Sequence, residues 1–285
     1  MQSRRDRSLP TLRLRDGTQV PRLGLGTWHM GESRASRARE IAALRAGIDA
    51  GFTLFDTAEM YGEGGAEELL AQAIAGRRDT MFLVSKVYPH NASRKGAIAA
   101  CERSLRRLRT DHLDLYLLHW RGRIPLAETV DAFERLRRGG KIVRWGVSNF
   151  DEDDLEELLA LPDGAHCAAN QVLYHLGERG IEWSLTSACR RHAIAIMAYS
   201  PLGEGVLLRD PKLGRIARTV GATPSQVALA WLLAQDDVIA IPQTSDRAHV
   251  IENRAATAVA LPSSARAALE RAFPPPDCAR PLAVI

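Results

Sequence analysis

The chain has 285 residues, 46% of them hydrophobic, and a formal net charge of +4. That length suits one large α/β domain, and the small charge, with no basic stripe interleaved with aromatics, argues against nucleic-acid binding. No apolar run approaches a membrane span, and the four cysteines (Cys101, Cys167, Cys189, Cys278) form no CxxC pair, so reduced thiols in a cytoplasmic protein are expected.

The first eight residues, "MQSRRDRS", are arginine-rich without the apolar run of a secretory signal and read as a frayed tail. "LRLRDGTQV" alternates around Asp16-Gly17, a hairpin signal. It is placed to plug the bottom of a barrel. A unit then recurs: a short apolar strand, a loop, an amphipathic helix. The strands are "RLGLGTW" from Arg22, "TLFDTA" from Thr53, "MFLVSKV" from Met81 and "LDLYLLHW" from Leu113. They continue with "IVRWGVSNF" from Ile142, "CAANQVLY" from Cys167, "AIAIMAYSP" from Ala193 and "VIAIPQT" from Val238. Helical patterns lie between them, among them "SRKGAIAACERSLRRL" from Ser93 and "PSQVALAWLLAQ" from Pro224. Eight such alternations predict parallel strands buried on both faces, an α/β fold of the (β/α)8 TIM-barrel type with an N-terminal β-hairpin. No linker or composition break divides residues 1–285, so a single domain is expected. The alternative is a doubly wound open sheet. Its dinucleotide-binding form needs an early GxGxxG, and "GLGTW" supplies two of those glycines.

In a barrel, chemistry sits at the C-terminal ends of the strands. Asp56 ends the second predicted strand, Tyr61 follows in its loop, Lys86 ends the third and His119 the fourth. Singly, each has an ordinary explanation: helix cap, packing, structural imidazole. A lysine in an apolar strand needs a partner, and four polar groups on one rim point to function. A phenol titrates near ~10, and a nearby ammonium is expected to lower that value and make a better proton donor. A carboxylate would hold the lysine, and a histidine would polarise a bound carbonyl. No protein nucleophile is evident, so hydride from a cofactor is the natural partner.

On these residues, and on "DTAEMYGEGGAEELL", "LDLYLLHW", "GKIVRWGVSNF", "NQVLYH" and "AYSPLG", the chain resembles the aldo-keto reductases over nearly its whole length. Asp56, Tyr61, Lys86 and His119 match that family's catalytic tetrad in order and spacing. "GTWHMGE", "LVSKVYPHNA" and "NQVLYHLGERGIE" look closest to the bacterial methylglyoxal reductases. The resemblance implies NADPH-dependent reduction of aldehydes and ketones, with Tyr61 as proton donor. It implies that Tyr199 stacks on the nicotinamide and that Ser148, Asn149 and Gln171 bind the carboxamide. Ser200 and Leu202 match pyrophosphate contacts. Gly26, Thr27 and Trp28 line the rim, Asp56 also touches the ribose side, and Glu252 and Asn253 match adenine contacts.

One stretch departs from the pattern. Many relatives read IPKS, then an arginine before the "EN" pair. Here "IPQTSDRAHVIEN" puts Gln243 in the lysine place, Thr244 in the serine place and His249 in the arginine place, with Arg247 two residues early. NADP(H) is expected with weakened discrimination against NAD(H), because permanent positive charge grips a phosphate. Trp28, Tyr88 and Trp120 are the expected pocket walls. Short loops after His119 and Leu202, and a chain ending soon after "FPPPD", predict an open pocket without a long lid, for small or varied carbonyls. His119 argues against double-bond reduction, because family members doing that carry glutamate there. The resemblance leaves a second reading, a non-enzymatic NADP(H)-binding redox sensor or accessory subunit. His119, Asp56 and Glu59 are too few for a hydrolytic metal centre, and no metal is expected. No nucleic-acid or membrane partner is expected, and the chain reads as a monomer or weak oligomer.

Overall fold

The computed structural model describes residues 9–285; the arginine-rich start, expected as a frayed tail, lies outside the described residues. Strands β1 (Thr11–Arg13) and β2 (Gln19–Pro21) form the antiparallel hairpin expected around Asp16-Gly17. The larger sheet contains β3 (Leu25–Gly26), β4 (Leu54–Asp56), β5 (Phe82–Val87), β6 (Leu113–Leu118), β7 (Ile142–Ser148), β8 (Cys167–Leu173), β9 (Ala195–Tyr199) and β10 (Val238–Ala240). These are the eight strands anticipated from sequence. They are parallel and pair in chain order from β3 to β10. Parallel bridges Leu23↔Ala240 and Gly26↔Gln243 link the β3 segment to the β10 segment across the ends of that order.

Helices fill the connections: α1 (Arg37–Asp49), α2 (Gly65–Ala73), α3 (Gly96–Leu108), α4 (Leu126–Arg138) and α5 (Glu152–Leu159). They continue with α6 (Leu185–Arg191), α7 (Pro211–Thr219), α8 (Pro224–Leu233), α9 (Arg247–Ala255) and α10 (Ser263–Ala272). α3 shows why these segments are helical. Ala97, Ala100, Cys101, Ser104, Leu105 and Leu108 are buried at three- and four-residue spacing, and its arginines lie between them. α8 begins at a capping box, with Thr223 and Gln226 bonding each other's backbone and Pro224 at the first helical position.

Both faces of the sheet are apolar, which accounts for strands without strict alternation. One face packs on the helices through residues such as Phe55, Leu83, Tyr116 and Val172. On the other, Leu54, Val84, Leu115, Leu117 and Met197 cluster with Leu12, Leu14 and Val20 of the hairpin segment. The hairpin therefore covers one end of the inner face, and Arg144 of β7 ties its turn down by donating to Asp16. Cys101, Cys167 and Cys189 are buried, and burial pushes each thiol up to about 12. No described helix is long and apolar enough to cross a membrane.

Gly146, inside β7, sits where the β7–β8 register shifts, and a Cβ there would lie 2.4 Å from the Ala169 carbonyl oxygen. The neighbour is backbone and cannot yield. Gly146→Ala should therefore destabilise the protein by about 2 kcal/mol or more, seen as a lower urea midpoint with an unchanged slope.

Candidate active site

Asp56, Lys86 and His119 stand at the C-terminal ends of β4, β5 and β6, and Tyr61 is in the loop after β4. All four are buried. The Lys86 ammonium has three hydrogens and no acceptor. It donates to Asp56 Oδ2 at 2.7 Å, to the Thr57 carbonyl at 2.9 Å and to Tyr61 Oη at 3.1 Å. Because the phenol oxygen accepts from Lys86, the phenol's own hydrogen is left for another acceptor. The Tyr61 and His119 rings meet edge-on, centroids 5.7 Å apart, and both line one cavity. His119 Nδ1 is buried with no hydrogen-bond partner, which leaves Nε2 to the cavity.

Tyr61 is held in place by close backbone packing. Gly31, with φ of 77°, lies against the start of α2, where a Cβ would come within 2.3 Å of the Gly65 backbone. The β3 loop and the "YGEGG" segment can touch only with glycine on both sides. Behind them, Glu59 accepts from the Tyr88 N–H, Asn91 Nδ2 and Arg103 Nη2.

The network runs on across the sheet. Asp56 Oδ1 accepts from Gln171 Nε2 at 2.8 Å. The Gln171 carbonyl accepts from Ser148 Oγ and from the Asn149 N–H. Asn149 donates from Nδ2 to the His119 carbonyl, and its Oδ1 accepts from Tyr199 Oη at 2.9 Å. His29, Asn149 and Ser200 all carry positive φ, at 63°, 57° and 43°. Such strained conformations cluster at functional sites.

The protonation states follow from burial and neighbours. Burial alone would lower the Lys86 ammonium, but the Asp56 carboxylate and Tyr61 outweigh it, and Lys86 is raised. Burial, assisted by the Lys86 charge, holds His119 well below the usual imidazole range, so it is neutral. Tyr61 corrects the sequence argument: its phenol is raised, not lowered. Burial dominates, the Lys86 charge pulls down, and the Asp56 carboxylate pushes up again. Tyr61 is thus protonated at neutral pH.

The first cavity, about 120 Å³, is lined by Gly26, Trp28, Asp56, Tyr61, His119, Trp120, Ser148, Asn149, Gln171, Tyr199, Ser200 and Gln243. A second, about 640 Å³, shares Trp28, Ser200 and Gln243 with it and reaches Leu202, Thr244, His249, Glu252 and Asn253. Together they make one elongated groove.

Residues 22–273 match the sequence profile of the Aldo/keto reductase family. The chain belongs to this family. It is 51% identical to methylglyoxal reductase YeaE of Escherichia coli (strain K12), over 90% of this chain and 92% of that protein. It is 36% identical to a glyoxal reductase of Bacillus subtilis (strain 168), over 85% of each. A crystal structure of an aldo-keto reductase from Klebsiella pneumoniae in complex with NADPH superposes with a TM-score of 0.94 at 49% identity, covering 98% of this chain and 100% of that one.

Three expected residues stand apart from the groove. Lys86 is sealed behind Tyr61. Thr27 does not line it either; it is wholly buried and donates through Oγ1 to the Asp56 carbonyl. Tyr88, an expected wall, meets Trp120 edge-on with ring centroids 5.8 Å apart and lines neither cavity. Its N–H is captured by Glu59, which fixes the loop just past the end of β5. Met60, Ile241 and Ile285 line the first cavity and were not singled out from sequence. Ile285, from the segment after Phe273, thus lines the cavity, where an open pocket without a long lid was expected.

Two outcomes follow. Lys86→Met leaves the Asp56 carboxylate buried without its cation and should cost roughly 3–5 kcal/mol in urea unfolding, partly recovered in Lys86→Met/Asp56→Asn. Unfolded imidazoles bind protons below about pH 6.5 whereas folded His119 does not, so stability should fall as pH drops through that value. His119→Gln should make that acid-side slope shallower by up to one proton, or about 1.4 kcal/mol per pH unit, and His175, also lowered by burial, should keep it from vanishing.

Proposed function

We propose that this chain is an NADP(H)-dependent reductase of small aldehydes and ketones, methylglyoxal among them. The observation that carries the reading is the Lys86 ammonium, fixed on Asp56, Thr57 and Tyr61, with the free phenol hydrogen beside His119 in one cavity. The names of the E. coli and B. subtilis relatives support the substrate class, and the NADPH-bound Klebsiella structure supports the cofactor. The groove itself fits a dinucleotide. Amide and hydroxyl groups of Ser148, Asn149 and Gln171 stand beside the Tyr199 ring at one end, and a longer polar cavity continues past Ser200. Bridges across the sheet ends support a closed (β/α)8 barrel, and one apolar cluster from Leu9 to Phe273 supports a single domain.

When bound, NADP(H) supplies a hydride to the carbonyl carbon. The chain's own residues handle the oxygen. Neutral His119 offers Nε2 to the carbonyl oxygen and orients it. Tyr61 donates its hydrogen to that oxygen as charge develops, giving the alcohol. The Lys86 ammonium stabilises the phenolate left behind, and Asp56 holds the ammonium in place. The raised phenol keeps Tyr61 protonated between turnovers, and Lys86 offsets the electrostatic penalty when the proton leaves. Tyr199 would stack on the nicotinamide, with Ser148, Asn149 and Gln171 at its carboxamide. Gly26, Trp28 and Ser200 would line the path to the diphosphate, with Leu202 beside it and Glu252 and Asn253 at the adenine.

Trp28 and Trp120 are the aromatic walls, and the small cavity favours small carbonyls. Large exposed apolar side chains such as Trp183, Val206 and Ile251 sit on separate elements, which supports a monomer or weak oligomer. The sensor or accessory reading is disfavoured by the complete set of Asp56, Lys86 and Tyr61, hydrogen-bonded together beside His119.

Loss of reduced-nicotinamide absorbance with methylglyoxal and a panel of small aldehydes tests the assignment. Tyr61→Phe should lower turnover by about 10²-fold or more while cofactor quenching of protein fluorescence persists. A Tyr61→Phe protein that keeps most of its activity would refute the proton-donor role.

A further inference from the structure

Tyr61 and the Lys86 ammonium reach each other from different segments. Tyr61 lies in the loop after β4 and Lys86 at the end of β5. The contact between them, 3.1 Å, is the longest of the three that the ammonium makes. Its length is set by the separation of the two segments, and one residue joins them. The Glu59 N–H donates to the Lys86 carbonyl at 3.3 Å, and Glu59 Oε1 accepts from the Tyr88 N–H at 2.9 Å. Glu59 thus grips the end of β5 on both sides of Val87, once by backbone and once by side chain. Between the two grips the Val87 carbonyl accepts from the His119 N–H at 3.0 Å. Tyr61 follows Glu59 by two residues, in a tight bend whose N–H donates to the Ala58 carbonyl.

The Glu59 carboxylate is fully used. Oε1 also accepts from Asn91 Nδ2 at 3.0 Å, which fastens the turn from Tyr88 to Asn91, and Oε2 accepts from Arg103 Nη2 of α3 at 3.2 Å. Glu59 is buried and lines neither cavity. A side chain there only to fill space would be apolar, since a buried carboxylate must be matched donor by donor. The neighbouring buried carboxylate makes the contrast. Glu67 accepts from Ser85 and Arg107, so it joins α2 to β5 and α3 and reaches neither loop. The turn that Glu59 fastens also carries the Tyr88 ring, whose centroid is 5.8 Å from that of Trp120 and 6.5 Å from that of His119.

We propose that Glu59 is a positioning residue for the reduction: it holds the loop bearing Tyr61 at a fixed separation from the strand end that bears Lys86 and anchors His119. The inference rests on the reductase reading above. The role needs an oxygen at the place of Oε1. The negative charge serves Arg103, which is exposed enough to turn to water. Glutamine would keep one oxygen for the Tyr88 N–H and Asn91. Aspartate would keep the charge but withdraw both oxygens by one methylene. A displacement of about 1 Å at a reacting group can cost on the order of 10²-fold in rate.

The test is a single turnover of NADPH-loaded protein with methylglyoxal, followed by reduced-nicotinamide absorbance and scaled to bound NADPH, so that unfolded protein does not enter the rate. Glu59→Ala should be slower by roughly 30-fold and Glu59→Asp by roughly tenfold. Glu59→Gln should stay within about threefold of the parent, and the NADPH dissociation constant within about twofold in all three. The solvent deuterium isotope effect on this rate should rise in Glu59→Ala and Glu59→Asp, because a displaced phenol slows the proton transfer. A merely structural glutamate would lower the urea midpoint and leave the rate per loaded site and the isotope effect unmoved. If Glu59→Ala does not fold, the order of glutamine above aspartate decides. Aspartate as fast as the parent, glutamine slower than aspartate, or an isotope effect unmoved in Glu59→Asp overturns the inference and leaves the reductase assignment intact. No turnover in the parent overturns both.

Discussion

The site depends on a lysine ammonium with no access to water. Lys86 is fully buried, and an unpaired charge there would be untenable. Asp56 makes it possible, and the three-donor geometry of the ammonium does the rest. With one hydrogen on the carboxylate and one on the Thr57 carbonyl, the third has a single direction left, and Tyr61 Oη lies along it. The constraint extends beyond the pair. Asp56 spends its second oxygen on Gln171, whose carbonyl orders Ser148 and Asn149. Asn149 in turn fixes Tyr199 and reaches the strand end that bears His119. One ion pair thus sets the positions of side chains from β4 to β9. Such a network, satisfied at nearly every atom, is pre-organised before any substrate arrives.

The sheet was legible because its strands are buried on both faces. Apolar runs such as "FLVSKV" and "CAANQVL" are short, lie between helical periodicities, and can satisfy their backbone only by pairing in parallel. Asp16-Gly17 marked the hairpin for a separate reason, since its turn needs residues that tolerate positive φ. The chemistry was legible where a polar residue interrupted an apolar strand end, as at Asp56, Lys86 and His119. It was not legible where the lining is apolar. Met60, Ile241 and Ile285 resemble core residues in sequence, and only the path of the chain separates wall from core. Tyr88 erred in the other direction. Its position just past β5 suggested a wall, but Glu59 holds its backbone and its ring meets Trp120 edge-on, outside both cavity linings. The direction of the Tyr61 shift could not be read either. Sequence shows that an ammonium is near; it does not show that the phenol is enclosed, and enclosure decides the sign.

The groove keeps its permanent positive charge out of the binding surface. Lys86 is the cation of the centre, yet Tyr61 and Asp56 line the cavity in its place, and among the described residues no lysine or arginine lines the rest. A cation exposed in the lining would attract any anion of the right size and would hold a charged ligand tightly before and after reaction. In the proposed mechanism, a cation sealed behind the phenol acts mainly when the phenol oxygen becomes negative, which is when the proton would move. Its attraction is therefore spent on the transition state and contributes little to holding the ground state, the condition under which an electrostatic interaction raises turnover. On the proposed reading, recognition of the ligand is left to hydroxyls, amides and an aromatic face. The separation requires the buried ion pair, because without Asp56 the lysine would have to find water, and the way to water leads into the groove.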